Sequence, residues 1–422
     1  MSEESKRITQ RPVPLSRIMV NEQTAKVYED ALETKKRGER IAWSTAIYVQ
    51  EICETLGVPV LYPENHSAAL AAKHYGEDLI QYAEGNMRYP MNICSYARIN
   101  FAFADKLKDP NYEWPSPAMP LPDLLLLANN SCVQLTKWYQ NLSDTLGVPA
   151  FFIDMLYNFT EEKASAYKVK YIRTQIEEAI TALEAFIGRK FDWDKFSEIQ
   201  KRSALNNKLF KEIIALNVHK PAPLNGFDLF NYMAPMVICR GKESTTDILL
   251  QLKKEVEENI KNNTSTYPVD QEHRVFWEGI ACWPCMRHNL KTLRNLGINA
   301  VTNGYVTAWD INYEPTNLDG MAAAYNFAST NSKSTPTVAR LRSDLIKKFG
   351  CKGMICHVNK SCKVMDFHVF GGRDLIQKYT GVPIVNFDGD QGDSRSYSEA
   401  QFETRIQGLA EIMKQNKEGN HA

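Results

Sequence analysis

Long apolar runs are missing from this chain of 422 residues, and with them any uncharged stretch able to span a bilayer. The N-terminal tract MSEESKRITQRPVPLSRIMV is polar and has no apolar core of the kind a secretory signal requires. A cytoplasmic protein is therefore expected. Net charge is missing too: Lys plus Arg and Asp plus Glu both number 50, which points away from a nucleic-acid surface or a strongly charged partner. Small molecules and other proteins are the expected ligands. Two chemical signatures are also absent. There is no GxxxxGKS/T loop to cradle phosphates, so ATP chemistry must come from another protein, and no HExxH among the scattered histidines.

What the chain does hold is length, alternation and thiols. At 422 residues it suggests two or three domains. Apolar, β-branched runs ending in loop residues recur as GVPVLYPEN (57–65), PDLLLLANN (122–130), GVPAFFID (147–154), INAVTNGY (298–305), GMICHVNK (353–360) and GVPIVNFDGD (381–390). They read as buried parallel strands. Helical patterns such as AKVYEDALETKKRGE and SCVQLTKWYQNLSDTLG lie between many of them, so the expected class is α/β, with two doubly wound parallel sheets. From Glu161 to Asn262 the pattern is mostly helical. The expected division is a polar extension (1–22), an α/β domain (23–160), a helical domain (161–265) and a second α/β domain (266–422).

Nine cysteines, an odd number in a long chain without a signal segment, argue against a disulfide framework and leave metal, catalytic or buried thiols. Two of them share a context. LLLLANNSC brings Cys132 just past one strand and MICHVNKSC brings Cys362 just past another, each with Asn three residues earlier and Ser immediately before. Ligands of open α/β sheets gather beyond the carboxyl ends of strands, so these loops could converge on one cleft. Cys94, in MNICSYARIN, stands at a turn. Three thiolates from distant parts of the chain suit an iron–sulfur cluster, while the plainer reading makes each a small buried hydrophobe. Cys282 and Cys285, in EGIACWPCMRH, have the spacing of a redox dithiol placed between a strand and a helix.

The tracts NICSYARINF, NNSCVQLTKWY, NGFDLFNYMA, EGIACWP, NKSCKVM, FDGDQ and AQFETRIQGL together resemble the 2-hydroxyacyl-CoA dehydratase family, which includes benzoyl-CoA reductase subunits. The likeness runs from Glu22 to about Met413 and is strongest to the larger, substrate-binding subunit. It implies a 4Fe-4S cluster held by Cys94, Cys132 and Cys362, with one iron left without a protein thiolate. It implies elimination of water from a 2-hydroxyacyl-CoA to an (E)-2-enoyl-CoA through a ketyl radical anion. It also implies two partners, a homologous smaller subunit and an ATP-dependent iron–sulfur activator, and an anaerobic cytoplasm. Flavin binding is left open.

Residue by residue, the resemblance assigns Glu64, at the end of an expected strand, to proton transfer; otherwise it is a solvated charge. Three residues after Trp43 the family usually has Ser, whereas this chain reads WSTA, with Ala46 there and Ser44 nearby. The family generally has no cysteine where Cys285 stands, so the dithiol lies outside the shared chemistry. FDGDQGDSR reads as a polar turn after a buried strand. Three alternatives stay in view: a benzoyl-CoA reductase-like subunit, a non-catalytic partner-binding subunit, and a thiol-disulfide oxidoreductase using Cys282 and Cys285.

Overall fold

The computed structural model of the protein describes residues 13–159, 163–328 and 330–419. Its strands form two parallel sheets. The first contains β1 (Ala42–Ser44), β2 (Val60–Leu61), β3 (Leu124–Ala128) and β4 (Ala150–Ile153), in the order β2-β1-β3-β4. The second contains β5 (His273–Glu278), β6 (Ile298–Asn303), β7 (Gly353–Asn359) and β8 (Ile384–Gly389), in the order β6-β5-β7-β8. The two orders are the same, and the α/β class with two parallel sheets is as the sequence led one to expect.

The residues explain the strands. β3 reads LLLLA and is buried throughout, as a parallel strand covered on both faces must be. Leu124, Leu126 and Ala128 join one core while Leu125 and Leu127 join another with Trp43, Phe103 and Tyr139. Each buried leucine contributes about 1.5–3 kcal/mol relative to exposure. The GVP tripeptides also acquire a reason. Gly57, Gly147 and Gly381 end helices with φ of 66°, 66° and 71°, a left-handed turn that glycine adopts without strain, and the strand begins directly afterwards.

The long helices Ala166–Ile187, Trp193–Leu216 and Glu243–Lys261 share one continuous buried cluster with residues of both sheets. In NGFDLF, a Cβ at Gly226 would meet the Ala300 carbonyl oxygen at 1.4 Å, so this loop lies directly against β6. Residues 1–12 of the expected extension lie outside the described residues; helix Leu15–Lys36 follows, with Ser16 buried against Tyr232. Among the described residues no helix is long and apolar enough to cross a membrane. In each sheet the strand order reverses beside the first strand, between β1 and β3 and between β5 and β7. The loops leaving those strands are where ligands of such sheets bind.

Candidate active site

Cys132 lies in the loop after β3 and Cys362 in the loop after β7, while Cys94 caps helix Ser95–Lys106. All three stand at helix N-termini: Cys132 just before Gln134–Leu146, Cys362 at the start of Lys363–Thr380. Backbone N–H groups of those first turns point at the sulfurs, as with Gln134 N, 3.4 Å from Cys132 Sγ. Such N–H groups favour a thiolate. Burial wins, however. It pushes the Cys94 thiol up to about 12 and Cys132 to about 11, and raises Cys362 well above its ordinary value; repulsion among the sulfurs adds to the rise at Cys94 and Cys362.

The three cysteines line one cavity of about 560 Å³. Its walls come from both halves, which polar contacts lock together. Ser95 N donates to Ser361 Oγ at 3.0 Å, and Gln391 Nε2 donates to Cys94 Sγ at 3.1 Å. The matched asparagines explain the repeated Asn-x-Ser-Cys context. Asn129 donates to Asp154 Oδ1 at 2.6 Å and accepts from Met155 N at 2.7 Å, just past β4. Asn359 donates to Gln391 Oε1 at 2.6 Å and accepts from Gln391 N at 3.3 Å, just past β8. Each asparagine thus ties the cysteine loop to the neighbouring strand end.

Glu64 also lines the cavity, but in the first turn of helix Pro63–Ala72, three residues beyond the end of the strand at Leu61. Ala46 N donates to Glu64 Oε2 at 2.6 Å. Burial raises its pKa to about 7, and the Ala46 N–H opposes that rise without cancelling it. Ala46 itself faces the cavity. Ser44 does not replace the missing hydroxyl, because its Oγ donates to the Thr45 carbonyl at 3.0 Å and does not line the cavity.

A family model described as 2-hydroxyglutaryl-CoA dehydratase, D-component, matches residues 40–413, which include both sheets and every cavity residue named above. The chain belongs to this family. It is 41% identical to the (R)-phenyllactyl-CoA dehydratase alpha subunit of Clostridium sporogenes, over 92% of this chain and 93% of that one. It is 39% identical to the (R)-2-hydroxyisocaproyl-CoA dehydratase alpha subunit of Clostridioides difficile, over 96% and 98% of the two chains. A distant likeness, 21% over 96% of each, joins it to a subunit of the benzoyl-CoA reductase of Thauera aromatica.

Several cavity residues of this dehydratase-family chain escaped the sequence reading. Tyr96, Trp283 and Gln391 lay inside the quoted tracts, and Trp283 Nε1 donates to Tyr96 OH across the two halves. Tyr305 and Arg342 carried no signal, being single residues of separate elements. Arg342 pairs with buried Glu278, Nε to Oε2 at 2.9 Å. Phe230, Met233, Leu135, Trp138 and Trp309 give the cavity apolar walls. Cys282 and Cys285 do not line it; they flank Trp283, which does. Among the described residues no three His, Cys, Asp or Glu side chains converge on a single metal ion.

Proposed function

We propose that this chain is the substrate-binding, alpha-type subunit of an (R)-2-hydroxyacyl-CoA dehydratase, a hydro-lyase producing an (E)-2-enoyl-CoA. What carries the reading is the meeting of Cys94, Cys132 and Cys362 with Glu64 in one apolar-walled cavity, in a chain whose relatives are named alpha subunits of such enzymes. The donor set fits a 4Fe-4S cluster. Three soft sulfurs share a site where burial and mutual repulsion keep them neutral, and a cationic iron centre would draw off the protons and compensate the charge. Ligands that each hold a different iron need not converge on one ion. When bound, the cluster supplies a one-electron relay and an iron with an open position that acts as a Lewis acid.

The chain's own residues do the rest. The thioester carbonyl does not acidify the β proton in the ground state, so acid–base catalysis alone is poorly suited to this elimination. One-electron activation of the thioester gives a ketyl radical anion, from which the α hydroxyl leaves, and the β proton then becomes acidic. Glu64, with a pKa near neutrality, can hold or release a proton at working pH, and the Ala46 N–H aims its carboxylate. Phe230, Met233 and Trp309 exclude water and favour an apolar acyl group.

A homologous smaller subunit, an ATP-dependent activator delivering the electron, and an anaerobic cytoplasm complete the proposal. It is tested by anaerobic purification with the smaller subunit, iron and sulfide analysis, and assay of enoyl-CoA from apolar 2-hydroxyacyl-CoA thioesters. Iron-containing protein that reduces an aromatic ring and yields no enoyl-CoA would favour the benzoyl-CoA reductase-like reading. Protein without iron would remove the cluster from it.

A further inference from the structure

The thiols of Cys282 and Cys285 serve no role in the dehydratase reading, yet the turn that carries them has a specific build. Cys285 N donates to the Cys282 carbonyl at 3.0 Å, closing a three-residue 3-10 turn at Trp283–Cys285. A closed turn of this kind brings the outer Cα atoms within about 7 Å. A disulfide needs them roughly 4.4–6.8 Å apart. The two thiols influence each other's ionisation. Their surroundings differ: Cys282 is buried, its Sγ 3.2 Å from the Asp390 carbonyl oxygen, while Cys285 is half-exposed at the N-terminus of the ten-residue helix Met286–Asn295.

We propose that Cys282 and Cys285 form a redox-active dithiol that exchanges two electrons with low-molecular-weight disulfides. Cys285 is the attacking thiol and Cys282 the resolving one. The neighbouring Cys282 thiol lowers the pKa of Cys285, and Cys285 in turn raises that of Cys282; burial and the carboxylates of Glu399 and Glu77 oppose the lowering at Cys285. Asp390, whose charge raises the Cys282 pKa, and Tyr397 also stand beside the pair.

The chemistry balances with an external disulfide as oxidant. Cys285, as thiolate, attacks one sulfur of RSSR, breaking its S–S bond, forming a Cys285–S–S–R mixed disulfide and releasing RS⁻. Cys282 gives up its proton and attacks Cys285 Sγ, which expels the second RS⁻. The protein dithiol is oxidised by two electrons, RSSR is reduced to two RSH, and the two thiol protons end on those products.

The test uses the anaerobically isolated protein, poised in graded mixtures of glutathione and glutathione disulfide, quenched with an alkylating agent and read by mass spectrometry of the peptide holding both cysteines. Expected is a peptide that loses two hydrogens and both alkylation sites together as the mixture becomes oxidising, and regains both with dithiothreitol. Cys282→Ser is expected to trap glutathione on Cys285, and Cys285→Ser to give neither product while its dehydration rate stays within a few-fold of wild type. A wild-type peptide doubly alkylated at every poise would overturn the proposal. So would a Cys282→Ser protein that takes up no glutathione at Cys285. Neither result would bear on the dehydratase reading, which is judged by iron content and enoyl-CoA formation.

Discussion

The two halves use the same strand order, agree at the ends of their third strands and diverge at the ends of their first. After the third strand the loops match: Asn129 and Asn359 make the same pair of contacts to the neighbouring strand end, and Cys132 and Cys362 follow three residues later. After the first strand they do not. β1 runs into Thr45 and Ala46, whose N–H holds Glu64, whereas β5 runs into Gly279 and the Cys282–Cys285 turn. On the proposed reading, a repeated scaffold uses one pair of loops to hold a shared group and leaves the other pair for separate tasks.

The largest effect should come from breaking the matched loops. Cys132→Ala and Cys362→Ala are each expected to lower iron per subunit to background and abolish turnover, with Cys94→Ala behaving alike; full iron retention in any one would remove that residue from the ligand set. Glu64→Gln probes the unmatched loop of the first half. A loss on the order of a hundredfold to ten-thousandfold is expected with iron retained. The pH profile gives the sign: burial raises the Glu64 pKa to about 7, so the proton-accepting carboxylate, and the rate with it, grows as pH rises through about 7. In Glu64→Gln that inflection should vanish.

The asparagines sharpen the comparison. Each loses two hydrogen bonds on replacement by Ala, part-buried at Asn129 and buried at Asn359, and about 1–3 kcal/mol for a buried partner left unsatisfied is seen as a lower Tm, more so for Asn359→Ala. Only Asn359→Ala also releases Gln391, the residue that donates to Cys94 Sγ, so it alone should lower iron content. Equal iron loss in Asn129→Ala would show that the loops are held by something else. Ala46→Ser restores a hydroxyl beside Glu64, and a rate change of a few-fold is expected, in keeping with one hydrogen bond of about 1 kcal/mol. The smallest effect belongs to Cys285→Tyr: turnover under reducing conditions within a few-fold of wild type. A collapse of turnover with the cluster intact would place the dithiol in the dehydration itself.

Much of this was legible in the order of residues. Strands such as Leu124–Ala128 and Gly353–Asn359 declare themselves because a strand buried on both faces is apolar without interruption, whereas Ala42–Ser44 is three residues long and leaves no pattern to read. The repeated Asn-x-Ser-Cys marked two cysteines because the same loop had to be built twice. Glu64 was read at a strand end and sits in a helix's first turn, since Pro63 is as suited to opening a helix as to following a strand.

The sequence by itself determined the alternation of apolar runs and helical stretches, the family, and the tracts from which the site is drawn, because these depend on local periodicity and residue type. Tertiary structure alone decided that Cys94, Cys132, Cys362 and Glu64 share one cavity, that Trp283 meets Tyr96, and that Tyr305 and Arg342 help line the walls. It also decided the acidity of Glu64. Those properties arise where the halves meet, between residues hundreds of positions apart, and the desolvation that sets a pKa comes from everything packed around the group.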